Sequence, residues 1–439
     1  MAGRRYRGGA ASIARFLRCV AVAVASLVLG GAGQAQSLND WLHQPYMTGD
    51  WGGLRTKLEA EGFHLRAHYL SETAGNPSGG LRQGTQYAQQ VDFGADLDLG
   101  KLANLRGGQV HITFTDRAGK SLAAEDVGNL ISEQEIFGGG QNFRLAELSY
   151  QQSLFDDTVE AKLGWIHTTD DFATSPIYCY FQNNGFCGQP AGIAIDSGVT
   201  TFPVASWGGI VKLRPQPDIY LQAGAYEVNP SLNNTSNGFK MNTAGATGVV
   251  VPVEAGWRPL LGSEKLPGNY KLGAYYDNST VPDLGSPLSG PQGTMTGRWG
   301  SYLLVDQMLF RESPGSERGL TAFGVFLYAD PNTALLQYFW EAGLLYRGTF
   351  PGRDQDTIGL AVNQSRVSNQ LVAAQNAQNG IMPGSVAVQS AETDIELNYR
   401  AQVTSWFSLM PNIQYIIQPN ATPTIPNAFV LGLQAGLAF

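Results

Sequence analysis

The last eleven residues, FVLGLQAGLAF (Phe429–Phe439), decide the fold. Phe429, Leu431, Leu433, Ala435, Leu437 and Phe439 share one parity, while Gly432, Gln434, Gly436 and Ala438 share the other. Period two marks a strand with two unlike faces. In a water-soluble sheet the terminal residues tend to fray, so an apolar edge carried to the last residue is out of place there. It fits the closing strand of a transmembrane barrel. A terminal aromatic strand also resembles the segment that the outer-membrane assembly machinery recognises.

The same alternation runs upstream. Phe63, Leu65, Ala67 and Tyr69 alternate with His64, Arg66 and His68. Val91, Phe93, Ala95, Leu97 and Leu99 alternate with Asp92, Gly94, Asp96 and Asp98, and Val110, Ile112 and Phe114 with His111, Thr113 and Thr115. Val159, Ala161, Leu163 and Trp165 alternate with Glu160, Lys162 and Gly164, and Phe407, Leu409, Ile413, Tyr415 and Ile417 share one parity. Each run alone is weakly diagnostic, but about 16 of them in series match a porin-sized barrel, apolar toward lipid and polar toward the lumen. Their centres fall at Ala67, Ala95, Ile112, Leu148, Leu163, Ile210, Ala223, Val251, Ala274, Leu304, Gly324, Ala342, Leu360, Leu397, Ile413 and Leu433. A soluble β-sandwich uses the same alternation and does not account for the terminal strand. The fold class is therefore all-β: a transmembrane antiparallel β-barrel of about 16 strands, preceded by a short N-terminal helix.

The other end of the chain supplies an export signal. Arg4, Arg5, Arg7, Arg15 and Arg18 precede an apolar run from Val20 to Leu29, then small residues at Gly33 and Ala35. This is the layout of a secretory signal peptide over 1–35, cleaved after Ala35, and the run is short for a membrane anchor. Of 28 Lys+Arg, five Arg leave with it, so 23 face 36 Asp+Glu, a net of −13. That balance speaks against nucleic acid as a partner. Charged residues are 15% and apolar residues 43%, with 54 Gly, a composition suited to an outer face in lipid. No later stretch carries the roughly 18 consecutive apolar residues of a spanning helix, and a closed barrel is the other structure that satisfies its backbone in lipid.

Residues 36–61 form a separate N-terminal segment, with 62–439 as the barrel. Leu54 and Leu58 share a helical face, and Asp50 is placed to cap that helix. It is expected at the periplasmic side or entering the barrel. Long Gly-, Pro-, Asn- and Ser-rich connections run over 75–84, 118–141, 168–202, 230–247, 278–297 and 368–386, on the side expected to be extracellular. The 168–202 connection holds Cys179 and Cys187. In an oxidising compartment a disulfide between them is expected, shaping a loop that folds inward to narrow the pore. Two thiols without a third Cys or a nearby His make a poor metal site, and neither a metal nor a cofactor is expected.

Three stretches carry a family resemblance: GDWGGLRTKLEAEGF (Gly49–Phe63), FQNNGFCGQPAG (Phe181–Gly192) and ETDIELNYRAQVTSWFSLMPNIQYIIQPN (Glu392–Asn420), together with the terminal strand. The chain resembles the OprB-type carbohydrate-selective porins of Gram-negative bacteria over essentially its whole mature length. The resemblance implies an outer-membrane barrel of 16 strands with an inward loop constriction, admitting glucose and related small sugars. Gln434 departs from the basic residue expected there in many relatives, which bears on selectivity if the position faces the lumen.

Sugar passage requires hydroxyl-directed hydrogen bonds good enough for entry and weak enough for exit. The lumen-parity candidates are Arg66, His68, Asp92, Asp96, His111, Arg117 and Glu147, any one of which is as readily an ordinary charge in a wet lumen. Trp165 has lipid-facing parity and reads as an interfacial girdle residue. A general non-selective porin is the alternative reading, and a barrel enzyme or receptor a more distant one. Asp96 with Asp98, or Asp170 with Asp171, do not face each other across a cleft as glycoside hydrolysis needs. No nucleophile elbow surrounds a Ser, and residues 36–61 are too few for a receptor plug. Homo-oligomerisation stays open, since subunit contacts would sit among lipid-facing residues.

Overall fold

The structure is a computed structural model that describes residues 38–177, 179–186 and 189–439. The proposed signal peptide and Cys187 lie outside the described residues. Sixteen long strands follow one another: β1 (Phe63–Ser78), β2 (Thr85–Asp98), β3 (Gly108–Gly119), β4 (Phe143–Leu154), β5 (Val159–Ile166), β6 (Ser206–Gln216), β7 (Ile219–Val228), β8 (Gly248–Trp257), β9 (Leu266–Pro282), β10 (Thr294–Arg311), β11 (Gly319–Ala329), β12 (Leu336–Arg347), β13 (Thr357–Val367), β14 (Ala391–Gln402), β15 (Phe407–Ile417) and β16 (Ala428–Ala438). The two-residue strand Leu260–Leu261 only extends the β8–β9 turn. Each strand pairs antiparallel with the next, and β16 pairs back onto β1, with Glu72 opposite Gln434 and Tyr69 opposite Leu437. All sixteen expected centres fall inside these strands. No helix among the described residues is long and apolar enough to cross a membrane.

The outer wall is apolar and exposed, and the interior buries polar residues beside an apolar cluster that includes Ile166, Phe172, Tyr226, Leu327 and Phe339. Phe93, Leu163, Val211, Leu272, Leu303, Phe326, Leu360, Leu397, Ile413 and Leu433 are exposed on the outer wall. Gln90, Glu254, Asn363, Glu392, Asp394, Glu396, Asn412 and Gln414 are buried on the inner one. Closure matters because an unpaired strand edge in lipid leaves backbone groups unsatisfied. Aromatic pairs occur toward both ends of the outer wall, among them Trp257 with Tyr270 and Trp299 with Tyr328. Such rings suit the membrane–water interface.

The short-turn rim carries the N-terminal segment. Helix α1 (Leu38–His43) leads to a turn at Trp51–Gly53, then to α2 (Leu54–Glu61). Gly52 and Gly53 take φ of 70° and 92°, which Gly adopts without a Cβ clash. The Asp50 carboxylate accepts from the Thr56 N–H and hydroxyl, so it caps α2 as its position predicts, though from beyond that glycine turn. Arg55 is buried over the Tyr46 and Trp51 rings and donates to the Phe439 carbonyl at 2.8 Å. The segment therefore sits against the seam between β1 and β16.

The opposite rim carries the long connections. The segment expected as loop over 368–386 contains a regular helix, Asn369–Ile381, capped by the Ser368 hydroxyl. Trp165 keeps its outward parity but is buried. The 229–247 connection folds over it, packing Leu232 and Met241 nearby. It is thus covered by protein instead of standing in an interfacial girdle.

Candidate functional site

The lumen is divided by two connections that fold inward, where only one, 168–202, was expected to do so. Residues 171–177 and 179–186 meet the inner wall between β8 and β15. The Ala173 N–H donates to Glu254 of β8, the Ser175 hydroxyl to Asp306 of β10, and the Lys271 amine of β9 to the Thr174 carbonyl. Phe181 then packs against Phe186 and Phe323. The Gln182 and Asn183 N–H groups donate to the two oxygens of Glu396 at 3.0 and 2.8 Å. The second inward segment, residues 129–137, meets β14 and β1. The Leu130 and Ile131 N–H groups donate to Glu392, and the Ile136 N–H to Glu72. The segments also hold each other, through Glu135 N–H to the Gln182 carbonyl and Asn184 N–H to the Ser132 carbonyl. Burial pushes Glu133, in the second segment, up to about 8, so its carboxyl is largely neutral at pH 7.

The remaining wall, β1 to β4 toward the short-turn rim, holds most of the expected lining residues and brings them together. Arg66 grips Asp96 with two nitrogens, Nη2 to Oδ1 at 2.9 Å and Nε to Oδ2 at 2.8 Å. His111, directly across from Asp96, places Nδ1 2.7 Å from the same Oδ1. The Nη2 bond is charge-assisted, and Nε lies at ion-pair distance without making a hydrogen bond. Gly94 lies opposite Arg66, and any Cβ there would come within 2.0 Å of the Ile112 carbonyl oxygen. His68 and Asp92 face one another across β1 and β2, 3.0 Å apart. Glu147 accepts from the Ser149 hydroxyl at 2.8 Å. Arg66 and Asp96 keep 29% of their side-chain surface exposed and His68 keeps 49%, where Glu392 and Glu396 keep none.

Arg117 is placed differently. It is buried, donating to Gln90 and to the Gly138 carbonyl, with its guanidinium over Phe202. It ties connections to β2 and β3 and presents little surface to the lumen. Asp170 pairs with His167, and Asp171 with Lys162. Gln434 does face inward. It is buried and donates to Glu72 at 2.8 Å, so it supports the carboxylate that holds Ile136. Parity alone did not single out Glu392 and Glu396, although the alternation Glu392-Asp394-Glu396-Asn398 was there to be read as one polar face.

The family model for carbohydrate-selective porins, OprB family, matches residues 82–439. Porin B of Pseudomonas aeruginosa is 34% identical, over 97% of this chain and 98% of its own length. The high-pH structure of Pseudomonas putida OprB superposes with a TM-score of 0.86 at 32% identity, covering 90% of this chain and 99% of that one. The low-pH structure of the same protein gives a TM-score of 0.60 at 25% identity, with the same coverage.

Proposed function

This chain belongs to the OprB family of carbohydrate-selective porins and is a Gram-negative outer-membrane channel through which sugars diffuse; within it, we propose that the sugar path runs along the β1–β4 wall, lined by Arg66, His68, Asp92, Asp96, His111 and Glu147. The observation that carries this reading is the partly exposed Arg66–Asp96–His111 cluster on the β1–β4 wall. Its charges are paired with one another at rest, so lending hydrogen bonds to sugar hydroxyls leaves no bare charge. That balance suits passage, which needs weak, repeated binding. Arg117 acts one step back, holding the connections that shape the path.

Reconstitution in a planar bilayer tests the reading. Glucose should reduce ion conductance in a saturable way. Conductance indifferent to glucose over a wide concentration range would make this a general, unselective channel. We also propose that the mature chain begins at Gln36, which N-terminal sequencing of the outer-membrane fraction would contradict by finding Met1. The proposed Cys179–Cys187 bond should appear as a linked peptide in a non-reduced digest, and alkylation of both thiols in fresh protein would refute it.

A further inference from the structure

We propose that Glu392 and Glu396 are positioning residues that set the aperture of the pore, by pinning the two inward segments to β14 through their backbone N–H groups. Each carboxylate takes two consecutive N–H groups from a segment. Glu396 accepts from Gln182 and Asn183. Glu392 accepts from Leu130 at 2.8 Å and Ile131 at 2.9 Å, and also from Asn420 at 2.7 Å in the β15–β16 connection. A Glu side chain presents two acceptor oxygens at one position, which matches two consecutive N–H groups of a segment.

Neither residue touches the passing sugar, because both are fully buried beneath the segments they hold. Their pinning is shared: the two segments are bonded to each other, and the Gln414 amide of β15 bridges both, donating to the Glu133 carbonyl and accepting from Asn183. Asn412 adds a bond to the Gln182 side chain at 2.7 Å. Loss of one carboxylate therefore loosens both segments toward the β1–β4 wall. The inference rests on the channel reading but not on the choice of Arg66 or any other lining residue.

The test compares Glu396→Ala, Glu392→Ala and Glu396→Gln with wild type in planar bilayers, after heat-modifiable gel mobility has confirmed a folded barrel. Each Ala variant should change open-channel conductance by about two-fold or more, add rapid current noise, and weaken glucose block several-fold, because the filter geometry is no longer fixed. Glu396→Gln keeps one acceptor oxygen and should shift the same quantities less. If an Ala variant does not fold, the near-isosteric Gln variant decides. Folded variants with wild-type conductance, noise and glucose block would overturn the inference. A wild-type channel that glucose does not block would instead overturn the sugar-path reading, while a conductance change in the variants would still stand for the pins.

Discussion

The two walls of this lumen use the same residue types for opposite purposes. On β1–β4 the carboxylates Asp92 and Asp96 pair with His68, Arg66 and His111 and keep part of their surface in the channel. On β14 the carboxylates Glu392 and Glu396 pair with backbone N–H groups of inward segments and have no exposed surface. Side-chain partners here leave Asp92 and Asp96 partly at the surface of a wet pore, where their hydrogen bonds can be exchanged. A backbone partner converts the carboxylate into a fastener. The comparison teaches that polarity facing the lumen is not the same as contact with what passes through it.

The largest expected effect on that contrast comes from Arg66→Ala. A hydrogen bond to a charged group contributes about 1.5–3 kcal/mol, so the glucose concentration for half-block should rise by about ten-fold or more. Leu97→Ala on the outer face should leave it unchanged. Equal effects of the two substitutions would erase the distinction between path and scaffold.

A pH titration sharpens the other side. Glu133 is held neutral by burial, its carboxyl raised from 4.5 to about 8. The inward state then binds more protons than a released segment between those values, so it is favoured at low pH and loses that advantage as pH rises toward 8. Current noise should therefore grow from roughly pH 5 to pH 8 and level off above that, and Glu133→Gln, which cannot ionise, should flatten the curve. Noise that falls with rising pH would contradict the assignment.

Smaller still is Glu147→Gln. It removes one partly exposed negative charge, and cation preference should fall by at most about two-fold in reversal-potential measurements, since local charge at the pore decides ion selectivity. The smallest effect is expected from Gln434→Met. That position is buried behind Glu72 and supports it with a single bond, so half-block by glucose should stay within about two-fold of wild type.

What could be read in advance follows from the range of each physical signal. Strand positions were legible because lipid on one side and water on the other impose an alternation every two residues, and Ala67, Leu163 and Leu433 carry it locally. The cap from Asp50 was legible for a similar reason. The helix Asn369–Ile381 was not, because its Asn- and Gln-rich sequence has no apolar face to mark it. Which lumen residues are covered was also out of reach. Asp96 and Glu396 have the same parity and charge, and only the return of residues 181–186 across the barrel tells them apart. Arg117 was correctly oriented by parity, yet the Gly138 carbonyl that helps bury it belongs to a connection with no periodicity.

The seam between β1 and β16 has a further consequence, for how such a chain is made. The Arg55 contact to Phe439 spans 384 residues, and β1 finds its second neighbour only in β16. Contacts so distant in sequence form slowly, because loop closure must precede them. Until they form, both the first and the last strand present bare edges, which hydrocarbon does not tolerate. A translation product lacking β16 would give β1 no strand to close on, so the barrel can be completed only once the last strand is present.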